Sequence, residues 1–150
     1  MIKLFSFRGR TTRLAYWRIY LLCVALVATA WTLGLFAMMT VGPAGAILFA
    51  AIPPAVVISW ATSLRRLHDR GKNLWWLLLF QVAPLGLYAL ASQTSSAGSV
   101  LVGLVANLVG LGLSLWGLVE MGFLRGEQKS NRFGDNPTLG VISAVETANV

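Results

Sequence analysis

Charged positions in this chain fall into three clusters, and between them lie two uncharged, strongly apolar stretches of nearly equal length. From Ile19 to Leu64 no Lys, Arg, Asp or Glu occurs in 46 residues, and from Asn73 to Val119 none occurs in 47. One bilayer crossing takes about 20 apolar residues at roughly 1.5 Å rise each, so two crossings and a short turn need about 45. Each gap therefore fits a helical hairpin that crosses, turns and returns. The expected fold is all-α: an integral membrane four-helix bundle made of two hairpins, forming a single domain over residues 1–137. Its helices are expected at about 14–39, 46–67, 74–91 and 100–123, with residues 138–150 a flexible cytoplasmic tail.

Breakers and small residues add detail. Thr11 or Thr12 is placed to cap the first helix through its hydroxyl. Gly42, Pro43 and Gly45 mark the first turn, and Gly71 marks the end of the second helix. Pro53 and Pro54 withdraw two amide donors and predict a kink near mid-membrane. Pro84 and Gly86 are expected to interrupt the third helix, and Ser92 to Ser99 reads as a solvated turn. In the fourth helix Gly103, Ala106, Gly110, Ser114 and Gly117 recur at three- and four-residue spacing, with Asn107 on the same side. Such a face allows close helix contact in lipid; its partner is left open between the first helix, the second helix and another copy of the chain.

Composition and charge supply a compartment and an orientation. Hydrophobic residues make up 57% and charged residues 11%, with a mean hydropathy of +0.72; soluble chains carry about 25% charged residues. Tyr16, Trp17, Tyr20, Trp60, Trp75 and Trp76 lie close to the charge clusters, as interfacial aromatics do. Net charge is +7. All twelve Lys and Arg fall on one side of the predicted topology, which places both termini and the middle loop in the cytoplasm, and so accounts for the basicity without nucleic acid. The apolar run after Arg18 is longer than the 7 to 15 residues of a cleaved signal, so it reads as a retained helix. Cys23, alone of its kind, excludes an intrachain disulfide and reads as a small packing residue.

Three of the polar segments together resemble the bacterial membrane family catalogued as domain of unknown function 805. The first holds Phe7, Gly9, Arg10, Arg13, Tyr16 and Trp17. The second holds Arg65, Arg66, Leu67, His68 and Asp69, then Gly71 and the Trp75–Trp76 pair. The third holds Asn131, Arg132, Phe133, Gly134 and Pro137. Each is weak alone; their order beside the apolar stretches gives a resemblance over about Phe5 to Pro137. It implies a multi-pass protein of the bacterial plasma (inner) membrane with no established biochemical activity.

Candidate chemistry is sparse. One His, one Cys and five carboxylates do not supply the three or four ligands of a usual metal site. Metal-dependent phosphohydrolases use a His-Asp pair such as His68–Asp69, but with further His and Asp residues that this chain lacks. No serine is adjacent to His68 in sequence, Cys23 sits in an apolar run with no obvious base, and no phosphate-binding glycine loop is present. Neither a catalytic residue nor a cofactor is expected, and the chain reads as a non-enzyme. The strongest polar candidates inside the apolar stretches are Thr29, Thr32, Ser59, Thr62, Gln81, Asn107 and Ser114, none ionisable, which is thin for a carrier.

The candidate site is therefore the charged face: Arg10, Arg13, Arg65, Arg66, His68, Asp69, Glu120 and Arg132. One reading is an internal ion-pair latch, in which Asp69 and Glu120 grip Arg10, Arg13 or Arg66. The other is a basic surface that binds anionic lipid headgroups or a partner protein, with Arg8 and Arg70 contributing. Phe133 is expected to pin its segment to the membrane surface or to the bundle. The alternative function is a small oligomeric transporter or channel subunit that assembles through the small-residue face.

Overall fold

The computed structural model describes residues 4–96 and 99–137. The described chain is helical, with an isolated bridge between Asn131 and Gly134 and no strand among these residues. Helix α1 is Arg13–Val41, followed by a 3₁₀ stretch over Gly42–Ala51 and helix α2 at Ile52–His68. Helix α3, Leu74–Leu77, passes through a π stretch, Leu78–Val82, into α4, Ala83–Ser96. Helix α5, Val100–Leu118, ends in a second π stretch, Val119–Phe123. Three helical runs, Arg13–His68, Leu74–Thr94 and Val100–Phe123, are long and apolar enough to cross a membrane by length and composition.

Four separate helices are thus replaced by three runs, because the first two expected helices join without a gap. Gly42 takes a left-handed φ of 76°, which an L side chain resists, and the 3₁₀ stretch after it leads directly into α2. The run doubles back on itself here. Gly45 lies against the Ala37–Met38 backbone, Gly34 against the Phe49 ring, and Trp31 meets Phe49 at 5.3 Å between centroids. Pro53 and Pro54 do not interrupt a helix. They sit in the first turn of α2, where a missing amide leaves no intrahelical bond unmade.

The expected interruption at Pro84 and Gly86 is displaced by one turn. Proline clashes with the carbonyl four residues back, here Phe80, and Phe80 lies inside the π stretch whose wider turn relieves that crowding. The helix then continues through Gly86. It also runs beyond the expected end near Ala91 to Ser96, because Ser92 and Thr94 return their hydroxyls to Ala89, Leu90 and Ala91 carbonyls and so remain helical. The expected turn at Ser92 to Ser99 is therefore largely helix. Thr12, not Thr11, caps α1 by accepting from the Ala15 amide at 3.3 Å. The expected tail, 138–150, lies outside the described residues.

Packing concentrates at the end where the chain is charged. Tyr16, Leu64, Leu67, Leu77, Phe80 and Met121 form a buried cluster. Away from it, Leu22, Met39, Ile47, Val100 and Leu101 are each at least 70% exposed, an apolar surface far larger than a water-soluble monomer of this size presents.

Candidate functional site

The second π stretch closes α5 with an unusual end. Leu124 is extended, so the helix stops and its last carbonyls lose their intrahelical donors. Four successive carbonyls are met by side chains from distant parts of the chain. Arg66 Nε donates to Met121 O at 2.9 Å, Trp17 Nε1 to Gly122 O at 3.0 Å and Arg13 Nη1 to Phe123 O at 3.1 Å. Arg66 Nη2 donates to Leu124 O. Two of the three donating side chains, Arg66 and Arg13, are cationic, and cations at a helix C-terminus are stabilised by the helix dipole.

Asp69 is the centre of the arrangement. It follows the last residue of α2, where Gly71, at φ 68°, allows the Lys72 amide to bond back to Leu67 O at 2.9 Å. Its carboxylate accepts from Arg10 Nε at 2.9 Å and from Arg66 Nη1. Both Asp69 and Arg66 are buried, Arg66 at 1% exposure. Gly126 lies directly under that carboxylate, where a Cβ would collide with it. The Asp69 carbonyl in turn accepts from the Glu127 amide at 2.8 Å.

Arg10 carries the same assembly into the C-terminal segment, donating to Lys129 O at 2.8 Å, to Gly134 O at 3.3 Å and to Glu127 O. His68 stacks on Phe133 with centroids 3.8 Å apart and planes 6° from parallel, and its Nδ1 lies 3.2 Å from Gly9 O. Asn131 donates to His68 O and to Glu127 Oε2. Arg132 donates to Gly71 O at 3.2 Å. The three segments singled out in the sequence thus interlock at one end of the helices.

Glu120 forms a second ion-pair centre. Buried on the π stretch, it accepts from Arg70 Nε at 2.6 Å and pairs with Lys72 Nζ at 2.7 Å. Lys72 also sits 3.7 Å over the Trp76 ring.

Of the expected cluster, Arg10, Arg66 and Asp69 meet directly, Arg13 joins through a carbonyl, and His68 and Arg132 join through the C-terminal segment. Arg65 stands apart. Its guanidinium turns back along α2 to Ala61 O at 3.3 Å and Thr62 Oγ1 at 3.1 Å and meets no carboxylate among the described residues. Arg70 is an ion-pair partner of Glu120 rather than an open surface charge. The small-residue face of α5 meets α4 and the π stretch before it, which were not among the expected partners: Gly110 abuts Tyr88 of α4, Gly117 abuts Phe80 of the π stretch, and Ser114 Oγ lies 3.3 Å from Tyr88 Oη. Gly103 and Ala106 are buried on this face, whereas Asn107 is exposed. Sequence reasoning missed Lys72, Gly126 and the indole of Trp17 as parts of the assembly; a lysine one turn from a tryptophan was the available signal for the first.

Among the described residues no group of three or more His, Cys, Asp or Glu is placed to hold a metal ion. A family model described as a protein of unknown function (DUF805) matches residues 4–135. No curated protein and no solved structure matches the chain.

Proposed function

We propose that this chain, which belongs to the DUF805 family of proteins of unknown function, is a non-enzymatic bacterial inner-membrane protein with four crossings and both termini cytoplasmic. Its ion pairs latch the helices, and the remaining cations engage anionic lipid headgroups. The doubling back at Gly42 supports counting the first run as two crossings. The carrying observation is a partition of charge. Asp69 and Glu120 are taken up by Arg10, Arg66, Arg70 and Lys72. The side chains of Arg8, Arg18, Arg125 and Lys129 are exposed and have no hydrogen-bond or ion-pair partner among the described residues. Four such cations favour an anionic surface by about 1 kcal/mol each where they lie near it. Assembly as a transporter through the small-residue face is disfavoured, since Tyr88 and Phe80 already cover Gly110 and Gly117.

The topology is tested with single cysteines, Ala44→Cys or Arg125→Cys, in a Cys23→Ala background, and the headgroup role by thermal melting in nanodiscs of phosphatidylglycerol or phosphatidylcholine. In right-side-out bacterial membrane vesicles, membrane-impermeant reagent should label the Ala44→Cys protein directly and the Arg125→Cys protein only after the vesicles are opened, and thermal stability should be higher in the anionic discs. Labelling from the same face removes the topology; equal stability in both lipids removes the headgroup role.

A further inference from the structure

The structure has a cavity of about 670 Å³ at the charged end, between the start of α1, the end of α2 and the loop after α5. That volume suits a small ligand. Arg13, Arg66 and Arg125 lie on its wall, together with Gln128 and two carboxylates, Asp69 and Glu127. The carboxylates do not make it a cation site. Asp69 is held by Arg10 and Arg66, and Glu127 Oε2 accepts from Asn131.

What remains uncommitted on the wall is a set of donors. The Arg125 guanidinium and the Gln128 side-chain amide have no hydrogen-bond partner among the described residues, and Arg13 makes a single bond, leaving most of its guanidinium available. Leu14 and Arg13 also contribute first-turn amides with no intrahelical acceptor. Planar guanidinium forks from two walls, with a supplementary amide donor, match the several oxygens of a phosphate ester.

One wall is apolar and leads away from the charges. Leu14 is 61% exposed, and Leu21 and Leu22, at 56% and 70%, continue its face about two turns further along α1. Arg18 lies on the same face between them, exposed and without a partner in the described chain. A ligand with a phosphate ester in the cavity and an acyl chain along Leu14 and Leu21 would meet both surfaces.

We infer that this cavity is a discrete seat for a phosphate ester, with Arg13 and Arg125 as its direct contacts and Gln128 beside them. The inference rests on the headgroup role proposed above and narrows it from a diffuse basic surface to one stoichiometric site. The same oxygens could come from an anionic phospholipid or from a soluble phosphate ester, and the Leu14 face favours the lipid.

The test is native mass spectrometry of the full chain in detergent, titrated separately with phosphatidylglycerol, phosphatidylcholine and glycerol 3-phosphate. Arg125→Gln removes a seat donor that takes no part in the latch through its side chain. Lys129→Gln removes an exposed cation of the same loop that does not line the cavity. The expected result is one retained phosphatidylglycerol, bound about fivefold more weakly after Arg125→Gln but less than about twofold more weakly after Lys129→Gln, whose charge acts only through diffuse attraction. Glycerol 3-phosphate binding with the same sensitivity, and no retained lipid, would assign the seat to a soluble ester. Equal weakening by both substitutions would overturn the seat while leaving a diffuse basic surface. No preference for phosphatidylglycerol and no binding of glycerol 3-phosphate would overturn both. Circular dichroism melting of each variant establishes that both remain folded.

Discussion

At the charged end, side chains bond across most of the chain: Arg10 reaches Gly134, Arg66 reaches Met121 and Trp17 reaches Gly122. At the far end, Thr32 and Thr40 return their hydroxyls to carbonyls three and four residues back in their own helix. Contact between segments there comes from shape, with Gly34 under Phe49 and Gly45 against the Ala37–Met38 backbone. One end therefore specifies which segments meet through directional bonds, while the other brings backbones close and leaves pairing nondirectional. In lipid that division has a physical basis, because apolar side chains gain little by exchanging acyl chains for one another and close packing must hold them.

The comparison is most exposed at Asp69. Asp69→Ala leaves the buried guanidinium of Arg66 without its counter-charge and should cost about 3–5 kcal/mol, read as a lowered unfolding midpoint in detergent. The paired substitution Asp69→Leu with Arg66→Met removes that buried cation with its counter-charge, but it leaves Arg10 without a carboxylate and the Met121 and Leu124 carbonyls without their donor, so it should recover only part of that loss. A single Asp69→Ala that melts within a degree of the parent would mean that the carbonyl bonds of Arg66 alone hold the charged end.

Shape at the far end is tested by Gly45→Ala. The added Cβ would stand 2.5 Å from the Ala37 carbonyl carbon and the Met38 amide nitrogen. Backbone cannot yield as a side-chain tip does, so overpacking of about 1–3 kcal/mol is expected. Gly86→Ala is the control, since nothing lies within 4 Å of its Cβ and helix propensity favours alanine there by roughly 0.5–1 kcal/mol. Equal losses at the two glycines would indicate a general helix effect and not close approach.

These positions also mark how much was legible beforehand. The apolar gaps located the helical runs because bilayer-length helices need long uncharged stretches, and the family-like segments located the polar assembly. Ion-pair partners were less legible: Asp69 could be matched with Arg10, Arg13 or Arg66 on charge alone, and choosing among them requires the angle at which α1 meets α2. The carbonyls of Met121 to Leu124 leave no mark in side-chain identity, so the roles of Trp17 and Arg13 toward them were not readable. Helix type was likewise hidden. A proline reads as a break, yet Pro53 begins a helix and Pro84 is accommodated by a π stretch one turn earlier.

A smaller effect is expected where the C-terminal segment docks. Phe133→Leu keeps apolar bulk but removes the ring stacked on His68 and the face lying 4.7 Å from the Arg132 guanidinium. About 0.5–1.5 kcal/mol should be lost, seen best as faster limited proteolysis within residues 127–137 than in the helices. Unchanged proteolysis would show that Arg10 and Asn131 suffice to hold this segment.

The smallest effect belongs to Thr32. Its hydroxyl donates to Ala28 O at 2.9 Å and lies 3.2 Å from Thr29 O, both carbonyls of its own helix, and the residue is exposed. Thr32→Val is nearly isosteric, keeps the branched Cβ and leaves those carbonyls bonded within α1, so no acceptor is orphaned. In detergent the melting free energy should shift by no more than about 0.5 kcal/mol. Trp17→Phe, which also removes a single donor but deprives the Gly122 carbonyl at the helix end, should cost about 1–2 kcal/mol. The two substitutions remove one hydrogen bond each, so a difference between them measures where the bond lands. If Thr32→Val cost as much as Trp17→Phe, local hydroxyl bonds would matter as much as distant ones, and the contrast between the two ends would reduce to a difference in charge alone.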